Sequence, residues 1–401
     1  MQQAQPMGEI RQHWRAIAVG FAMALFAWGS IFYAHGVFKA ALEAKHGWSG
    51  LMLSSAQAWF WAVGAMTAFG VGAAVDRFGP RAVACYGAYA TAIGVAAVGL
   101  AMTPWQLFLA YAVLATAYPT IGNLGISAAL APLFQAKYAT ALGYALTGAS
   151  FGGAIVTPVY IWLTAALGFD WASAVIAAAT LLCLTPLLRW APARRARSSA
   201  EDDARGLERF RMALRSPVFW AIWLTGFLSF TGQVGFLFHE ISIFTPRMGL
   251  VMAGYAVSVT VISAAIGRFV TGWAANHMPL GLLAGVMYLI QVTGFVVANA
   301  GDGVASSFIA AAIIGFVVGP LVMLPAMLTR AAFGADGFGK SFGVINIGMF
   351  AGMTIGPGLA GLVAAKAGYP TAIWMFAACL TAAAAVIILG FRPSQTSGAP
   401  E

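Results

Sequence analysis

The sequence predicts an all-α membrane protein of twelve transmembrane helices in two six-helix bundles. Three observations carry this. First, 61% of the 401 residues are apolar, about 245 side chains, and only 8% are charged, against roughly 25% in an ordinary soluble domain. A crossing uses about 20 mostly apolar residues, so the supply matches roughly twelve crossings. Second, the apolar residues run on without the alternation of a membrane barrel, so helices must satisfy their backbones. Third, one long charged interval divides the apolar runs into six and six. These numbers exclude a soluble enzyme. They also exclude a nucleic-acid-binding protein despite the net charge of +9, because most of the 21 basic residues lie in short loops between apolar runs.

In chain order, the runs lie at about 15–38, 51–75, 82–102, 105–132, 139–166 and 170–189, then 217–243, 251–275, 280–300, 305–331, 341–365 and 369–391. The first fourteen residues hold Arg11 and no cleavable apolar core, so the first run is a span that stays. Residues 1–190 therefore form one bundle, 191–216 a cytoplasmic linker and 217–401 the second bundle. Within the linker, 202–214 can form a short interfacial helix with Leu207, Phe210 and Leu214 on one face. Placing the N-terminus inside puts sixteen basic residues on that side, among them Arg77, Arg81, Lys137 and the eight arginines from Arg189 to Arg215. Four (Lys39, Lys45, Arg247, Lys366) fall outside and Arg268 within a span. That bias orients both termini to the cytoplasm. Cys85, Cys183 and Cys379 are far apart inside apolar runs, with no spacing that suits a metal or a redox pair.

The halves read as copies. Gly72-Ala-Ala-Val-Asp76-Arg77 ends the second run and Gly272-Trp-Ala-Ala-Asn276-His277 the eighth. Gly148, Gly152, Gly153 and Pro158 in the fifth run answer Gly348, Gly352, Gly356, Pro357, Gly358 and Gly361 in the eleventh. Small residues at every fourth position let helix backbones approach, and a proline beyond them bends the helix. Such seams suit a rocking device, and equally suit static packing.

The stretch Gly72-x-x-x-Asp76-Arg77-x-Gly79-x-Arg81, in a twelve-span chain with a central basic linker, resembles the signature of the major facilitator superfamily. Further segments are similar to bacterial monocarboxylate transporters, with the oxalate:formate antiporters as neighbouring relatives: Gly36-Val37-Phe38, His46-Gly47-Trp48-Ser49, Arg215-Ser216-Pro217-Val218-Phe219-Trp220 and Gly267-Arg268-Phe269. The resemblance implies the major facilitator fold, a multi-pass protein of the bacterial cytoplasmic (inner) membrane, and transport without a cofactor.

Arg268 is the only basic residue deep in a span. An arginine there costs at least ~2.5 kcal/mol on insertion scales, so it faces protein or a cavity. Its guanidinium can grip a carboxylate through two parallel hydrogen bonds. The alternative is a structural ion pair, against which stands the absence of any acid read as deep in a span. In the monocarboxylate family the arginine of this span binds the substrate carboxylate, and Arg268 matches it. The aspartate that many relatives carry four residues earlier is Ala264 here, and the first span offers Ser30, Phe32 and Tyr33 where many have a lysine.

His35 and His239, near the outer ends of the first and seventh spans, with Glu240 beside His239, are candidates for a proton relay, or else structural hydrogen-bonding groups. Asn123, with Tyr118 nearby, can offer contacts from the N-terminal half or serve as an interhelical hydrogen bond. Asn346, Gln57 and Gln291 are weaker candidates, and Phe32, Tyr33 and Phe350 can form apolar walls. Asp76 can cap the N-terminus of the eleventh span, and the resemblance makes Gly72, Asp76, Arg77, Gly79 and Arg81 an inside gate, with the arginines reinforcing it or binding lipid headgroups. The expected function is secondary transport of a small organic anion, most simply a monocarboxylate, by a monomer, with protons or a counter-anion as partner. An exporter of an apolar or cationic compound, and a transporter-like receptor for a carboxylate, are the alternatives.

Overall fold

A computed structural model describes residues 6–191, 200–334 and 338–391. Part of the expected linker, with Arg194, Arg195 and Arg197, and the terminal Arg392 lie outside the described residues. Eleven helices are long and apolar enough to cross a membrane. They are α1 (Trp14–His46), α2 (Met52–Phe78), α3 (Pro80–Gly99), α4 (Pro104–Leu130), α5 (Tyr138–Leu167), α6 (Phe169–Trp190), α7 (Pro217–Gly249), α8 (Met252–Ala274), α9 (Leu280–Ala300), α10 (Val304–Phe333) and the long stretch Phe338–Gly390. The last breaks at Gly368, where φ is +80°. It is therefore two helices, α11 (338–367) and α12 (369–390), making twelve. A polar helix, Ala200–Arg215, stands between α6 and α7, and the Trp220 indole donates to the Leu214 carbonyl at its end.

The helices overrun the apolar runs. Polar residues at a helix end protrude beyond the hydrocarbon without leaving the helix, so apolar runs understate its length. Thus α1 continues through Lys39–His46 until Gly47 at φ +66°, and α7 continues past residue 243 to Gly249 at φ +78°. Starts are set by local chemistry. Pro80, Pro104 and Pro217 sit in first turns, where the missing N–H costs nothing. Gln106 Oε1 accepts from the N–H groups of Thr103 and Met102 ahead of α4.

Turns at the end of the bundle opposite the termini are tight. Gly168, Gly249 and Gly368, at φ between +78° and +83°, each turn one helix directly into the next, a conformation that a Cβ would disfavour.

The repeated glycines build the seams. A Cβ on Gly148 or Gly152 of α5 would lie 2.0 and 2.3 Å from the Phe21 and Leu25 carbonyl oxygens of α1. One on Gly352 or Gly356 of α11 would lie 2.4 Å from the Phe227 and Thr231 carbonyl oxygens of α7. Each half thus presses an inner helix onto its first helix in the same way. Between the halves, α2 meets α11 where Gly72 abuts Gly339, and α8 meets α5 where Gly272 lies over Ala139 and Thr140.

Two segments depart from α geometry, Ala27–Phe32 in α1 and Gly152–Val156 in α5, both wound as π-helix. They touch each other, for a Cβ on Gly29 would stand 2.6 Å from Val156 Cβ. The expected bend of α5 thus takes the form of a π turn just before Pro158, which lacks an N–H.

Candidate functional site

Between the halves lies a cavity bordered by α1, α4, α7, α8, α10 and α11. The π turn shapes its α1 wall. Tyr33 N–H donates to the Trp28 carbonyl five residues back at 2.8 Å, and this wider turn brings Trp28, Phe32 and Tyr33 to the cavity together. From α4 come Tyr118, Pro119, Asn123 and Leu124. Opposite them stand Phe230, Gln233, Val234 and Leu237 of α7, spaced three and four apart as one helix face. Val318 and Val322 of α10 and Asn346, Met349, Phe350 and Met353 of α11 complete the lining with Arg268 of α8.

Arg268 is 1% exposed. Its stem crosses α10 at Gly319, where a Cβ would stand 2.7 Å from Arg268 Cγ. Its Nη1 donates to Ser150 Oγ of α5 at 2.5 Å, and Ser150 in turn donates to the Val261 carbonyl of α8. Its Nε is buried with no acceptor. Among the described residues no carboxylate pairs with it; elsewhere Lys45 pairs with Asp170 at 2.5 Å, near the end opposite the termini. The Tyr33 hydroxyl lies within electrostatic reach of Arg268.

Of the residues singled out from sequence, Arg268, Asn123, Tyr118, Phe32, Tyr33, Asn346 and Phe350 all border the cavity. Two of the amides are already engaged. Asn123 Nδ2 donates across the halves to the Val322 carbonyl at 2.7 Å while its Oδ1 accepts from Ser127. Asn346 Nδ2 donates to the Phe342 carbonyl of its own helix. Gln57 and Gln291 do not border it. Sequence reasoning missed Gln233, a 2%-exposed cavity residue whose Oε1 has no donor. A polar side chain deep in an apolar run was the available signal.

The relay candidates are not brought together. His35 Nδ1 donates to the Ile31 carbonyl at 2.7 Å, and its ring stacks on Tyr111 at 5.2 Å inside the N-terminal bundle. His239 Nε2 donates to the Pro357 carbonyl of α11 and Nδ1 accepts from Tyr369. Glu240 points elsewhere, accepting from Thr260 of α8 at 2.5 Å, and is 1% exposed. This corrects the expectation that no acid lies deep in a span. Because α7 runs on to Gly249, Glu240 is nine residues, roughly 13 Å, inside its end. The Tyr33 hydroxyl is within electrostatic reach of Glu240 as well as of Arg268.

At the end that carries the termini the halves are clasped. Besides the Gly72–Gly339 contact, Thr140 donates to the Gly272 carbonyl at 3.1 Å and Asn276 Nδ2 to Thr140 Oγ1 at 2.9 Å. Arg330 Nε donates to the Ala131 carbonyl at 3.1 Å. Asp76, Arg77 and Arg81 are exposed beyond Gly72, with Arg77 over the Phe78 ring, and Gly79, at φ +86°, makes the turn into α3. Among the described residues no three His, Cys, Asp or Glu side chains gather as metal ligands would.

The profile of the Major Facilitator Superfamily matches residues 17–347. The chain belongs to the major facilitator superfamily. It is an integral multi-pass membrane transporter and not an enzyme. It is 24% identical to an MFS-type transporter of Gibberella moniliformis over 82% of this chain and 79% of that one. It is 27% identical to the MFS-type transporter dbaD of Emericella nidulans, covering 84% and 77%. It is 26% identical to monocarboxylate transporter 13 of Bos taurus, covering 82% and 79%. In fold it resembles the E. coli fucose:proton symporter FucP, with TM-score 0.76 at 16% identity over 96% of this chain and 99% of that one. It also resembles the proton:xylose symporter XylE, with TM-score 0.74 at 12% identity, covering 95% of each chain.

Proposed function

We propose that this transporter moves a small organic monocarboxylate by alternating access, with Arg268 as the group that receives the carboxylate. The observation that carries the reading is a guanidinium buried at the edge of the cavity between the halves, without an internal carboxylate and with Nε unused. A buried cation unpaired by protein costs stability, and an incoming anion offsets that cost. A second carboxylate on the cargo would find no second cation along the cavity wall. The 26% identity to a monocarboxylate transporter points the same way.

Export of a cationic or apolar compound, the alternative, gains a buried acid, Glu240, that the apolar runs did not reveal. Yet Glu240 is held by Thr260 and does not border the cavity, whereas Arg268 does. Glu240, and not the two histidines, is the group we assign to proton exchange alongside the anion. The seam of Gly72 and Gly339, with Asp76, Arg77, Gly79 and Arg81 beyond it, is assigned as the gate at the terminal end. The sixteen-to-four charge bias favours a cytoplasmic position for that end. The named relatives are fungal and bovine and add nothing in favour of a bacterial inner membrane.

The test is counterflow in proteoliposomes with a panel of mono- and dicarboxylates. A monocarboxylate should exchange, and Arg268→Ala should slow that exchange by at least ~30-fold, the effect of truncating one member of a buried charge pair. Arg268→Lys should also fail, because an ammonium does not reproduce the guanidinium's paired donors. Normal exchange by the alanine variant would remove Arg268 from the site.

A further inference from the structure

We infer that the cargo is a monocarboxylate with an aromatic body, an arylalkanoate, and not a two- or three-carbon acid; this rests on the anion reading above and refines it. The cavity lining combines a single cation with a wall of aromatic rings. Trp28, Phe32, Tyr118 and Phe350 form a continuous wall of rings, with centroids 5.6 Å apart for Trp28–Tyr118, 6.4 Å for Phe32–Tyr118 and 6.1 Å for Tyr118–Phe350. Phe32 and Tyr118 lie nearly parallel, at 22°. Two fully buried polar atoms of the lining without partners, Arg268 Nε and Gln233 Oε1, belong to the C-terminal half, on α8 and α7. The cavity's amides in reach of the rings, Asn123 and Asn346, already have their Nδ2 groups bonded to carbonyls.

Such a lining sorts cargo by shape and polarity. One end needs an acceptor for Arg268. The remainder offers rings and aliphatic side chains, against which an aromatic body gains both burial and edge-to-face contacts. A second carboxylate would be stripped of water there with no second cation to replace it. An acid of two or three carbons leaves the ring wall unused. Because Arg268 belongs to one half and most of the rings to the other, a molecule that satisfies both bridges the halves.

The experiment is counterflow with labelled phenylacetate on the full-length protein in liposomes, with unlabelled propionate, succinate and the neutral isostere phenylacetamide as competitors. Expected is a half-saturating concentration for phenylacetate at least tenfold below that of propionate, a difference within reach of hydrophobic pockets. Phenylacetamide and succinate should compete weakly. Phe350→Ala should reduce the preference for phenylacetate over propionate at least fivefold. Thermal stabilisation of the wild-type protein in detergent by phenylacetate, larger than that by propionate at equal concentration, gives a binding readout that does not depend on any variant folding. If propionate equals or exceeds phenylacetate in both assays while exchange still requires Arg268, the aromatic inference is overturned and the anion reading stands. If phenylacetamide competes as well as phenylacetate and Arg268→Ala exchanges normally, the anion reading itself falls.

Discussion

A guanidinium that is 1% exposed, with one nitrogen bonded to a serine hydroxyl and another unused, is a local conflict that the fold retains. Relieving it should favour stability at the expense of transport. Arg268→Met, which preserves length and removes charge, is expected to raise the midpoint of thermal unfolding in detergent while exchange is lost, the trade seen when buried charges are replaced by apolar groups. A lower midpoint would mean that the Ser150 bond holds α5 to α8 more strongly than the buried charge opposes it. Glu240 poses a separate question. Its carboxyl accepts from Thr260 on α8, and the Tyr33 hydroxyl on α1 lies within electrostatic reach of both Glu240 and Arg268. Glu240→Gln keeps the shape and removes the exchangeable proton, so counterflow should persist while accumulation driven by a pH gradient disappears. Unchanged gradient-driven uptake would release Glu240 from coupling. The two residues also differ in how legible they were. Arg268 stood out because a cation far inside an apolar run has few explanations. Glu240 did not, because its depth depends on where α7 ends, and an apolar run does not say how far a helix projects past the hydrocarbon.

At the scale of helices, the repeats in the sequence translate directly into seams, since glycine at every fourth position is a requirement of close backbone approach and nothing else in the residue competes with it. The clasp at the terminal end is testable through the α5–α8 pair. In a variant with Cys85, Cys183 and Cys379 replaced, Thr140→Cys with Asn276→Cys should form a disulfide readily, because the native side chains already touch at 2.9 Å. Exchange should stop on oxidation and return on reduction. Exchange by the fully cross-linked protein would show that this contact persists through the cycle and is no gate. The π turns were beyond sequence reading. They arise where Gly29 of α1 meets Val156 of α5, a contact between segments distant in the chain, and no periodicity in either records it. That is why Trp28 escaped notice while Phe32 and Tyr33, on the same wall, did not.

Across the whole molecule, twelve crossings and two similar halves follow from composition and run length because lipid leaves the backbone few alternatives. The orientation proposed from charge is open to measurement. A fluorescent protein fused after residue 401 should be bright, as expected for a cytoplasmic fusion, and an enzyme that requires export should be inactive at the same point. The reverse pattern would invert the assignment of the gate.

The tight corners at Gly168, Gly249 and Gly368 leave no slack in those three connections for a flap to fold over the entrance on that face. Sealing of the cargo from that side must then come from the rods themselves, by flexing where prolines such as Pro357 and the underwound stretches already weaken their hydrogen bonding. Shortening or lengthening a loop there would accordingly be a poor way to alter transport, and stiffening a helix an effective one.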